Sequence, residues 1–139
     1  MTPMIPPAKR FAPGGRVYVQ AQQVWLILVA FVMRRQIGDP ETITYGDLAL
    51  KMGYSTRKAA IMLGRPLGII AEYCRINQLS MLNTIVVDTT GVPGSGVILS
   101  KGHTLRQDQA DVYKMDWFSV RVPTTGTFRK VWEAFFSES

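Results

Sequence analysis

The residue types that most often do chemistry are few in this chain and scattered along it. Cys74 and His103 are its one thiol and one imidazole, on well-separated segments with no nucleophile-and-base signature around either. Cys74 follows Ile70 by one helical turn on an apolar face, where a free cysteine is expected to be core. One His with one Cys cannot assemble the usual zinc tetrad. Asp108, Asp111 and Asp116 match no calcium-loop spacing and read as a solvated face, so no metal site is expected. Gly91-Val-Pro-Gly94-Ser-Gly96 has glycine spacing like that of a phosphate loop. It lacks the Gly-Lys-Ser/Thr ending and leads into no helix, which argues against nucleotide binding. The expectation is a chain without catalytic residues or cofactor.

The chemistry these residues do support is contact with a polyanion. Sixteen Lys and Arg against ten Asp and Glu give a net charge of +6. Residues 1 to 75 hold ten basic and four acidic side chains and residues 76 to 139 hold six of each, so all the excess lies in the first half. Between Lys51 and Arg75 there are five basic residues and one acid. Lys51, Arg57, Lys58 and Arg65 are the expected phosphate contacts, with a hydroxyl from Thr56 and an outer reach from Lys9, Arg10 and Arg16.

Something must position those cations. At 139 residues with 47% hydrophobic and 19% charged composition, the chain is of single-domain size and buries a core. The longest apolar run, Val24 to Met33, is ten residues against the roughly 20 that span a bilayer. With one cysteine, no internal disulfide forms and a reducing, cytoplasmic location is expected, on the nucleoid if DNA is bound. Residues 1–15, rich in Pro and Gly, read as a flexible arm. Val17 to Gln36 reads as a central helix, with Val24, Ile27, Leu28, Phe31 and Val32 on one face, and Gly38-Asp39-Pro40 stops it. Thr44 opens a short helix ended by Gly53. A second helix follows from Ser55, with Ala59, Ala60, Leu63 and Met62 as its buried side, and the pair reads as a helix-turn-helix. Gly64-Arg65-Pro66 marks a restart into a third helix. Thr84 to Val87 and Val97 to Leu99 read as strands about the Asp88 to Gly96 loop, a β-hairpin wing. Trp117 to Val122 reads as a further strand, and Thr127 opens a helix striped by Phe128, Val131, Trp132 and Phe135.

Gln22-Gln23-Val24-Trp25, Ile43-Thr44-Tyr45-Gly46-Asp47-Leu48-Ala49, Gly53, Ala59-Ala60, Leu63-Gly64 and Val86-Val87 with Gly91 occur in the order found in one family. From about Gln20 to Gly96 the chain resembles the C-terminal DNA-binding domain of O6-alkylguanine-DNA alkyltransferases and the alkyltransferase-like proteins. The resemblance implies a winged helix-turn-helix that enters the minor groove and flips out a guanine. In the family the alkyl group goes to the cysteine of a Pro-Cys-His-Arg motif. The equivalent stretch here is Leu82-Asn83-Thr84-Ile85, and the carboxamide of Asn83 cannot become a thiolate. Alkyl transfer there is chemically impossible. The His-Arg pair that alkyltransferase-like proteins keep is missing too. Where the family has an arginine finger this chain has Ile61, an intercalating wedge on one reading, with burial in the core its expected fate. Tyr45 matches a tyrosine that lies near the DNA backbone. A half-buried Tyr sealing the first helix is the equal alternative.

The expected fold is therefore α+β: an arm over 1–15, a winged helix-turn-helix over 16–100 with a β-hairpin wing, and a C-terminal strand and helix over 101–139 packed on the core. The expected function is non-enzymatic binding of double-stranded DNA. The alternative is a protein-binding inhibitor or adaptor of a nucleic-acid machine, or a homodimer, with Trp117, Phe118, Trp132 and Phe136 as the contact surface.

Overall fold

The apolar run from Val24 forms the middle of helix α1, Val17–Met33, in a computed structural model that describes residues 2–136. Met1 of the expected arm and residues 137–139 of the expected C-terminal extension lie outside the described residues. Ala21, Val24, Trp25, Leu28 and Val32 of α1 are buried, while Ile27 and Phe31 are half-buried. The helix ends three residues before its sequence pattern does. Asp39 reaches back to accept a hydrogen bond from the Gln36 amide at 3.0 Å, folding Gln36 to Asp39 into a turn.

Four more helices follow: α2, Tyr45–Lys51; α3, Gly64–Ile76; α4, Leu105–Val112; and α5, Thr125–Phe135. Helices α1, α3 and α5 pack against one another. At their junction the Trp25 indole meets Tyr73 of α3 edge-on at 5.6 Å between ring centroids and Phe128 of α5 at 6.1 Å. Trp117 closes the cluster from a single 3-10 turn, Trp117–Ser119, also edge-on at 5.6 Å. Edge-to-face pairs add about 0.5–1.5 kcal/mol each beyond area burial. The polar edge of Trp117 is satisfied as well, its Nε1–H donating to the Val112 carbonyl at 2.8 Å.

The sheet is two residues wide on each strand. Strand β1, Ile43–Thr44, runs parallel to β2, Val86–Val87, with Ile43 opposite Val86 and Thr44 opposite Val87. The protein is thus a helix-rich α+β domain, and no described helix is long and apolar enough to cross a membrane. Residues 2–16 are exposed and lie in no helix or strand.

Three expected elements take another form. Among the described residues there is no β-hairpin: Val97 to Leu99 forms no strand, and β2 pairs with β1 instead. Asp88 explains it. Its Oδ1 accepts hydrogen bonds from the Thr90 amide and hydroxyl and the Val92 amide, curling the chain locally, and Pro93 follows with no N–H to offer a ladder. The same Thr90 hydroxyl, before the backbone amides, holds the Asp88 carboxyl below its ordinary pKa. Where the second helix of a helix-turn-helix is expected there is a 3-10 helix, Arg57–Met62, with no buried residue of its own. It is cut short at Leu63 because α3 restarts there, with Pro66 in the first turn where a missing N–H costs nothing. The strand expected over Trp117 to Val122 is the 3-10 turn and extended coil.

Replacing Trp25 by Ala removes the hub of the aromatic cluster and is expected to cost about 3–5 kcal/mol, read as a lowered urea midpoint. Trp132→Ala, at a half-buried position, is expected to cost clearly less.

Candidate nucleic-acid interface

Thr44 begins the face. Its hydroxyl accepts the Asp47 amide at 3.1 Å and caps α2, and Gly53 at φ +102° turns the chain out of that helix. The Arg57–Met62 turn then lies across α2. Arg57 passes over Gly46 so closely that a Cβ there would sit 3.0 Å from the Arg57 Cβ, Cγ and Cδ. Its guanidinium reaches Asp47 Oδ1 at 3.2 and 3.3 Å. Arg57 is therefore committed to joining the two helices. Lys58 and Lys51 are exposed, and Arg65 lies over the Trp132 ring at 5.8 Å while remaining exposed. Thr56 precedes the turn without capping it and is exposed.

Ile61 is the main correction on this face. Expected in the core, it is 90% exposed, and Met62, also expected on the buried side, is 51% exposed. The physical reason is the 3-10 geometry. At three residues per turn a six-residue element anchors through Leu63, 1% exposed, and turns Ile61 outward. Gly15, Val17 and Gln20 line a cleft of about 560 Å³ together with Ile61, Met62, Gly64 and Arg65, so the chain carrying Lys9, Arg10 and Arg16 joins the body beside Ile61. Tyr54 ties that end down, accepting hydrogen bonds from the Gly14 amide at 3.1 Å and Gln20 Nε2 at 2.8 Å.

On the other side of Gly64 is a smaller cleft of about 100 Å³, lined among others by Tyr45, Gly68, Asn83, Gly94 and Ile98. Tyr45 is half-buried and its phenol oxygen accepts the Gly94 amide at 2.8 Å, which pins the Asp88 to Gly96 loop to α2. Asn83 is 6% exposed. Its Nδ2 donates to the Ile98 carbonyl at 3.1 Å, and its Oδ1 has no partner. An orphaned buried acceptor costs about 1–3 kcal/mol. Sequence reasoning reached Asn83 only as the residue standing in a cysteine's place, because nothing in a sequence shows which carboxamide atom is left unpaired.

The remaining candidates separate. Cys74 is fully buried and burial pushes its thiol up to about 12, so it is no nucleophile. Asp108 is no solvated residue: it is 1% exposed, accepts the Ser100 amide at 2.7 Å and meets His103 Nδ1 at 2.8 Å. The four aromatics do not form one surface. Trp117 is 2% exposed, and Trp132 and Phe136 are half-buried and stacked at 5.6 Å, with Phe136 closing on Gly68. Phe118 alone stands out, 81% exposed, beside an apolar groove over α1 lined by Leu26, Val29, Met33 and Val122. Comparison with protein-family models, curated proteins and solved structures finds no match for this chain.

Asn83→Leu loses one hydrogen bond but also removes the orphaned oxygen. Urea unfolding is expected to show a stability change within about 1 kcal/mol; a much larger loss would make Asn83 structural. Cys74 sets an alkaline limit. Its folded-state pKa of about 12 lies above the ordinary 9.0, so its contribution is complete below pH 9 and is lost as pH rises from 9 toward 12. Cys74→Ala is expected to flatten that part of the stability profile.

Proposed function

We propose that the protein is a non-enzymatic DNA-binding module that holds duplex DNA through the Arg57–Met62 turn, with Ile61 entering the minor groove as an apolar wedge. The observation that carries this reading is the 90% exposure of Ile61, with the exposed Lys58 three residues before it in the same 3-10 helix and Arg65 lining the same cleft, while Lys51 is exposed at the end of α2. A branched aliphatic held out among cations is disfavoured in water and matches what a groove-opening protein needs, charge for phosphates and an apolar edge between base steps. Thr56 adds a hydroxyl to the same edge, and Lys9, Arg10 and Arg16 leave the body beside it. Arg57 contributes charge, but its first role is to set the turn against α2. Tyr45 acts through Gly94 by holding the loop that flanks the face. The ordered motifs that resemble the alkyltransferase DNA-binding domain support the reading, and Asn83 in the cysteine's place supports its being non-enzymatic.

Fluorescence anisotropy of a labelled duplex at two salt concentrations tests it. Binding is expected to weaken steeply with salt, and Lys58→Ala with Arg65→Ala is expected to lower the log–log salt slope by about one per contact removed. Ile61→Ala is expected to weaken binding on the order of tenfold, about 1.4 kcal/mol, with the salt slope kept. No binding at low salt would sink the proposal. A dimer in light scattering that Phe118→Ser disperses would then move the function to the groove over α1.

A further inference from the structure

His103 Nδ1 has two carboxylates converging on it and a single proton to offer. Asp108 Oδ1 stands at 2.8 Å and Asp111 Oδ2 at 3.6 Å from the same nitrogen, and the three ligand atoms lie within 4.8 Å of one another. Only the first contact is a hydrogen bond. Among the described residues the Asp111 carboxylate has no hydrogen-bond donor, and His103 is the only ion-pair partner of either aspartate. We propose that these three side chains form a site for one divalent first-row transition cation of the zinc class.

The local fold prepares the set. Gly102, at φ +79°, lets Ser100 to His103 turn back on itself, closed by the His103 amide donating to the Ser100 carbonyl at 3.0 Å. Thr104 then starts α4 with a reciprocal capping box to Gln107, which places Asp108 and Asp111 one turn apart on the same face. Asp108 is oriented from behind, since its other oxygen takes the Ser100 amide at 2.7 Å, the kind of outer contact that fixes a metal-bound carboxylate. Distances fit as well. Zinc–nitrogen and zinc–oxygen bonds of about 2.0–2.2 Å in a tetrahedron place ligand atoms about 3.3–3.6 Å apart; the two His103 separations of 2.8 and 3.6 Å bracket that spacing, and the two aspartate oxygens, within 4.8 Å of each other, draw together on binding.

Access agrees with the geometry, and the ligand set supplies the charge, set against Arg75, Lys101, Arg106 and Lys114 in the lining of the flanking clefts. Two carboxylates and a neutral imidazole balance a dication, and the imidazole nitrogen favours zinc-class metals over magnesium or calcium. His103 and Asp111 are each about two-fifths exposed and border clefts on both sides of the cluster, leaving room for water to complete the coordination. A cation there would clasp the Ser100 to His103 turn to α4, two residues beyond the Ile98 carbonyl that Asn83 holds. The inference is independent of the DNA-binding reading.

Calorimetric titration of the full chain with Zn²⁺, with Co²⁺ absorption as a second readout, tests it. The expected result is one saturable equivalent, a rise in Tm with Zn²⁺, and the same binding in Cys74→Ala. His103→Ala and Asp111→Asn, both at partly exposed positions, are expected to weaken binding by more than the roughly tenfold that loss of an outer contact costs, with circular dichroism confirming their fold. No saturable binding by the unaltered chain, or undiminished binding by either variant, overturns the site.

Discussion

The face proposed to bind depends on one short pairing, the parallel contact of Ile43-Thr44 with Val86-Val87. Two residues per strand make a weak sheet on their own. This one is held because Ile43, Val86 and Val87 are all buried and the core is built around them. Its consequence is positional. The strand β1 ends at the cap of α2, and β2 begins where the Leu82–Ile85 turn ends, so the pairing brings Tyr45 and Asn83 to one cleft. The loop after β2 then has a fixed origin from which Gly94 reaches the Tyr45 phenol. Without the pairing, the cation-bearing turn and the loop beside it have no common frame.

The aromatic junction of α1, α3 and α5 makes that frame stiff. Trp25, Tyr73, Trp117 and Phe128 bring three helices and the 3-10 turn Trp117–Ser119 to one point, so the C-terminal third shares the core of the rest. Apolar side chains are thereby withdrawn from the surface, and Trp117 illustrates it. The aromatic tail that suggests an interface in one dimension is largely core in three. What is left outside is therefore limited, and from Val17 onward Ile37, Ile61 and Phe118 are the large apolar side chains that stand furthest out among the described residues.

Local signals in the chain were readable where local physics decides. The Thr44 cap, the Gly53 exit, the restart before Pro66 and most of the buried face of α1 follow from backbone chemistry within a few residues. By contrast, α5 starts from a Thr124 cap ahead of the expected Thr127 and leaves Phe135 of its expected stripe 46% exposed, at the last turn before the helix ends. What was not readable depends on distant partners. Val97 to Leu99 has β-branched composition, but Asp88 and Tyr45 take the backbone donors of the loop before it and β1 takes β2, so no hairpin forms. Ile61 looked like core because isoleucine usually is; only the length of a six-residue 3-10 element decides otherwise. Likewise Asp108 looked solvated until the turn at Gly102 folded Ser100 and His103 over it.

The basic face and the wedge are separable physically, since cations act on phosphates over several ångströms whereas an isoleucine acts only where bases part. The most direct test of the account is thus a duplex carrying 2-aminopurine at successive positions, whose fluorescence rises when a base loses its stacking neighbours. Saturating protein is expected to raise the signal at one or two adjacent steps, and Ile61→Ala at saturation is expected to leave it at the free-duplex level. A signal that stays flat at every position with the unaltered protein fully bound would contradict the wedge.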